Sequence, residues 1–121
     1  MIKTKKELRF YIAADRIMNG APKHWSVREF VNGLVKPNYI LDYLRHMRCV
    51  AYYKQHNTLL YLWHYWFYHR LGVKLGFSIS ADSFGYGLVI PHHGTIVISS
   101  DVSAGNYCVL HTSTCMGGVI S

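Results

Sequence analysis

The chain has 121 residues, half of them hydrophobic, with ten tyrosines and a formal charge of +7. That is enough apolar material for a core, and it excludes a disordered chain. The basic balance suits an anionic partner (nucleic acid, a membrane surface or a phosphate-bearing cofactor) or serves only to keep an aromatic-rich protein in solution.

Taken in order, the chain opens with a polar stretch, Met1-Ile2-Lys3-Thr4-Lys5-Lys6, and not with the apolar core of a secretory signal. Thr4 followed by Glu7 is a capping-box spacing, and Leu8, Tyr11, Ile12 and Ile17 keep helical spacing. Asn19-Gly20 ends this helix, so it runs from Thr4 to about Asn19. Ala21 to His24 reads as a linker. Ser26 and Glu29 repeat the capping box and open a short helix with Val27, Phe30, Val31 and Leu34 on one face, broken at Lys36-Pro37-Asn38. A longer helix is predicted from about Tyr39 to Tyr53, with Ile40, Tyr43, Leu44, Met47 and Val50 inward and Arg45, Arg48 and Lys54 outward. His56-Asn57 is a turn and a cap. An aromatic helix follows from Thr58 to Leu71, with Gly72 as its left-handed end. Trp63, Trp66 and Phe67 are expected to be covered by other elements or by a neighbouring subunit. The run Leu59 to Leu71 has 13 residues and is interrupted by His64, His69 and Arg70, short of the ~20 that span a bilayer. No integral membrane segment is expected.

After Gly72 the pattern changes. Ile98, Ala104, Leu110 and Met116 recur every six residues. Ile96, Val102, Cys108 and Thr114 form a second column two residues earlier, continued by Ile120. Small and polar residues such as Ser99, Ser103, Gly105 and Asn106 fill most gaps. A helix needs a period near 3.6 and a flat strand a period of two. A period of six predicts a solenoid of short edges, each sending paired side chains inward. Phe84-Gly85-Tyr86-Gly87 breaks the phase and predicts a distorted corner. Cys49, Cys108 and Cys115 are odd in number and form no CxxC, which favours a reducing cytoplasm over a disulfide framework.

Several stretches together resemble the hexapeptide-repeat acyltransferases, and within them the serine acetyltransferase branch. They are Arg70-Leu71-Gly72 with Lys74 and Gly76, then Ile79, the run from Gly87 to Ile98, and Gly117-Gly118. The resemblance implies an N-terminal α-helical region over residues 1–72. It implies the first coils of a left-handed parallel β-helix, incomplete, over residues 73–121. It also implies an acetyl-CoA-dependent O-acetyltransferase, working as a homotrimer or higher homo-oligomer on a hydroxyl of serine or a sugar. Such a family member has further coils after its Gly-Gly, so this chain reads as one that stops in mid-repeat.

The candidate chemistry lies at His92-His93. A histidine pair before a glycine is either a solvated corner or a base near neutral pH. The resemblance assigns the base to His92, six residues before Ile98, with His93 as the runner-up and a candidate substrate-binding residue. It puts Pro91 where the family has a substrate-holding aspartate and Ser78 where a second aspartate orients the histidine; Asp82 is the nearest spare carboxylate. The Pro91 departure fits a sugar acceptor better than serine. By the same resemblance, His111 lies near the acceptor pocket and Gly117 and Gly118 near the acetyl-CoA groove. No metal is implied. The alternative is a catalytically inactive remnant or structural oligomerisation module. A basic nucleic-acid module is disfavoured, because no RNP-like or helix-turn-helix pattern accompanies the lysines and arginines.

Overall fold

A computed structural model of the chain describes residues 2–21, 27–28, 31, 38–100, 102–111 and 114–116, the last three by backbone alone. Three long helices are described: α1 (Lys5–Met18), α2 (Tyr39–Tyr53) and α3 (Thr58–Leu75). Three short strands follow: β1 (Phe77–Ile79), β2 (Ile96–Ile98) and β3 (Thr114–Met116).

Each helix starts at a side chain that replaces a missing backbone partner. Thr4 Oγ1 accepts the Glu7 N–H at 3.1 Å, Asn38 the Leu41 N–H at 3.1 Å, and Asn57 the Leu60 N–H at 3.2 Å. α3 continues past Gly72 and ends at Gly76, which takes the left-handed conformation with φ 82°. Gly72 is a close-packing glycine instead: a Cβ there would lie 2.7 Å from the Phe77 carbonyl oxygen. Of the short helix expected from Ser26, Val27, Arg28 and Val31 are helical and exposed. Ser26, Glu29, Phe30 and Leu34 lie outside the described residues.

Among the described residues the expected left-handed β-helix is not formed. The strands make one open parallel sheet in the order β1-β2-β3, with Phe77 opposite Ile96 and Ile96 opposite Thr114. Beyond it, among the described residues, strand pairing amounts to one bridge, Val89 to Val109. The repeat still shows in burial: Ile96, Ile98 and Leu110 are buried, and Val102, Ala104 and Cys108 pack against them. They do not face the walls of a closed coil. Tyr43, Leu44 and Met47 of α2 and Leu75 of α3 share their cluster with Phe77, Ile79, Phe84, Leu88 and Ile90, so helices and strands contribute to one core. Helices also occupy the free edge of β1. Tyr43 accepts the Ile79 N–H at 3.2 Å, and the Tyr68 hydroxyl donates to the Ile79 carbonyl. An edge whose polar groups are already satisfied has no call for another strand. Burial raises both phenols, Tyr68 to about 12.

Arg48 is the second correction. It does not point outward; it is fully buried, and Asp15 is almost so. Its guanidinium donates to both Asp15 oxygens, at 2.7 and 3.1 Å, and to the Phe84 and Gly85 carbonyls at 2.8 and 2.6 Å. Asp15 Oδ1 also accepts the Leu88 N–H at 3.0 Å. One side chain thus joins α1, α2 and the chain leading out of the Phe84–Gly87 corner. On α3, by contrast, Trp63 and Trp66 remain 60% and 55% exposed, so the described residues do not cover them. Among the described residues no helix is long and apolar enough to cross a membrane.

Removing one member of a buried pair strands the other charge, at a cost of about 3–5 kcal/mol. Asp15→Ala is therefore expected to lower the unfolding free energy read from urea denaturation by that order, or to prevent folding. Asp15→Leu with Arg48→Met removes both charges but leaves Phe84 O, Gly85 O and Leu88 N–H without partners. The double variant should recover only part of the loss.

Candidate functional site

His92 lies on a loop held firmly at both ends. Ahead of it, Leu88 and Ile90 are buried and tied to α1. The Ile90 N–H donates to Asn19 Oδ1 at 3.1 Å, and Asn19 Nδ2 donates to the Leu88 carbonyl at 2.8 Å. Behind it, the Gly94 N–H donates to the Leu75 carbonyl and the Ile96 N–H to the Gly76 carbonyl, both at 3.0 Å. Gly76 must be a glycine here: a Cβ would sit 2.9 Å from the Gly94 carbonyl oxygen. Between these anchors Pro91, His92 and His93 are all exposed. The histidines are thus offered to solvent from a rigid base, the arrangement in which a base can meet a substrate.

The other sequence-predicted residues divide into two groups. The parallel bridge Val89–Val109 carries two segments forward side by side, and His111 follows it on one strand as Pro91 and His92 do on the other. His111 is exposed. Ser78 is elsewhere. It faces outward between buried Phe77 and Ile79, opposite Val97. With Asp82, Ser80 and Ser100 it lines a cleft of about 290 Å³ at the far ends of β1 and β2. A strand residue advances ~3.3 Å, so β2 alone separates that cleft from the His92 loop by ~10 Å. The cleft that Ser78 and Asp82 line thus opens at the end of β2 away from the His92 loop. Gly117 and Gly118 lie outside the described residues.

The residues that position the loop are Asp15, Asn19 and Arg48. Asn19 reads in sequence only as a helix stop. A signal for Arg48 was present: it continues the apolar spacing of Leu41 and Leu44, so a charge falls on the buried stripe of α2.

A second titratable cluster joins α2 to α3. His46 Nδ1 and His64 Nδ1 are 2.9 Å apart, and Arg45 Nη2 is 3.4 Å from His46 Nε2. A guanidinium only donates, so His46 Nε2 accepts and its Nδ1–H donates to His64. Phe67 stacks on His46 and Tyr53 on His64. Burial, then the neighbouring Arg45 charge and His64, lower His46 to about 3; burial and Arg45 lower His64 as well. Among the described residues no three metal-ligating side chains gather.

A scan of protein-family models and searches of curated proteins and of solved structures return no match to this chain.

The histidine pair makes stability depend on pH with a definite sign. His46 titrates near 6.5 in the unfolded chain and near 3 in the fold, so below pH ~6.5 unfolding takes up a proton. Its contribution is complete above ~6.5 and is lost progressively as pH falls toward about 3. Urea midpoints should drop between pH 7.5 and pH 5. His46→Phe, which retains the stacking on Phe67, should remove most of that drop.

Proposed function

We propose that the chain is an acetyl-CoA-dependent O-acetyltransferase with His92 as general base, similar to the serine acetyltransferase branch. The observation that carries this reading is His92 itself: an exposed imidazole in the Gly87-to-Ile98 run, on a loop pinned at Leu88–Ile90 and at Gly94–Ile96. In the proposed reaction His92 takes the proton of the acceptor hydroxyl as its oxygen attacks the thioester carbonyl. The carbon–sulfur bond then breaks, and coenzyme A leaves as the thiol with the proton returned by the imidazolium. No acyl-enzyme is required. The acceptor is a small hydroxyl compound, serine or a sugar, and Pro91 in place of an aspartate favours the sugar. The basic balance of +7 supports capture of the phosphates of coenzyme A. The reading puts the chemistry in the cytoplasm, in keeping with free Cys49 and Cys108.

A second reading, an inactive oligomerisation module of the same chain, is favoured by one feature. Leu59, Leu62, Trp63, Trp66 and Val73 form a largely exposed apolar stripe on α3. Such a face suits burial between copies, whether or not the copies carry out chemistry.

A general base is worth ~10²–10⁴ in rate. His92→Ala should therefore lower turnover by about that factor, read as thiol release from acetyl-CoA with serine and a panel of sugars. The KM for acetyl-CoA should change little, because a base acts mainly in the transition state. His93→Ala should do much less. Loss of activity in His93→Ala alone would move the base by one residue. No acetyl-CoA turnover with any acceptor, in a chain that sediments as an oligomer, would favour the second reading.

A further inference from the structure

The cleft at the far ends of β1 and β2 has a composition that neither the sheet nor the His92 loop requires. Tyr61 and Tyr65 of α3 form one wall, their rings 5.8 Å apart and tilted by 38°. Ser78, Ser80 and Ser100 bring hydroxyls from the strand ends, Asp82 brings a carboxylate, and Lys54 at the end of α2 an ammonium. Among the described residues neither Lys54 nor Asp82 makes an ion pair, although both line the same cleft. Tyr68, which also lines the cleft, is already committed to the Ile79 carbonyl.

Aromatic rings, short hydroxyls, one acceptor and one donor lining a single cleft suit a ligand with an apolar face and a rim of hydroxyl groups. A sugar ring has that form. Its C–H face packs on tyrosine, and each hydroxyl can both donate and accept, matching serines that do the same. Asp82 accepts from two adjacent hydroxyls, and Lys54 donates to a ring or hydroxyl oxygen. The two charges cancel, which disfavours an ionic ligand. Small-molecule sites begin at ~300 Å³, so a cleft of about 290 Å³ takes a single ring and not a nucleotide.

We infer that the cleft formed by Tyr61, Tyr65, Asp82 and Lys54 binds a neutral monosaccharide unit. The site lies a strand's length from His92 and does not rest on the acetyl-transfer reading, so it is tested without acetyl-CoA. Saturation-transfer NMR of the full chain is measured with glucose, galactose, N-acetylglucosamine and glucuronate. Saturable binding of at least one neutral sugar, stronger than that of glucuronate, is expected. A hydrogen-bonded charged group is typically worth about tenfold or more in affinity. Asp82→Asn, which preserves shape, should weaken binding by about that factor, and Tyr65→Ala at least as much. Trp66→Ala, outside the cleft, should leave it unchanged. Both cleft positions are exposed, so circular dichroism should show all three variants folded. Three outcomes overturn the inference: no saturable binding of any neutral sugar, preference for glucuronate, or binding undiminished in both cleft variants. Loss of acetyl-transfer activity with sugar binding intact would instead count against the function proposed for His92.

Discussion

Everything between α1 and the His92 loop depends on Arg48. A guanidinium without access to water is tolerated only when its donors are used, and four contacts use them: two to Asp15 and one each to the Phe84 and Gly85 carbonyls. Asp15 in turn accepts the Leu88 N–H. The pair contributes little net stability, because desolvation offsets most of the attraction. Its contribution is geometric. It fixes where the chain leaves the Phe84–Gly87 corner, and Asn19, one turn further along α1, fixes Ile90. From there the exposed loop with His92 has little freedom left.

The helices were largely legible because their signals are local. Thr4 and Asn57 read as caps and each accepts a first-turn N–H; Asn38, read only as part of a helix break, does the same for α2. The end of α3 was misplaced because Gly72 and Gly76 look alike in sequence. One avoids a clash with Phe77 and the other adopts a positive φ, and only the fold separates those causes. Arg48 was misread because helical patterning treats a charge as a mark of solvent. Its partner lies 33 residues away, beyond any local pattern.

The six-residue repeat identified inward positions and misled about what they face. Ile96, Ile98 and Leu110 are buried as a period of six requires, but a repeat cannot say which element covers them. Here they join a core shared with Tyr43, Leu44 and Met47 of α2 and Leu75 of α3, and Tyr43 and Tyr68 satisfy the outer edge of β1. The result, among the described residues, is an open three-stranded parallel sheet with a helix against its β1 edge. The same departure divides the candidate site. Ser78 and Asp82, next to His92 in a closed coil, fall instead into a separate cleft with Tyr61 and Tyr65. His111 stays on the His92 side because the Val89–Val109 bridge keeps those two segments together.

The central claim is that the Arg48–Asp15 pair holds the segment carrying His92. Native-state amide hydrogen exchange in Arg48→Lys tests it most directly, since lysine keeps the charge but cannot reproduce the two-pronged contact. The amides of Leu88 and Ile90 should exchange at least about tenfold faster than in the parent, while those in the middle of α3 keep their protection. Unchanged exchange at Leu88 and Ile90, or an equal loss of protection throughout α3, would contradict the claim.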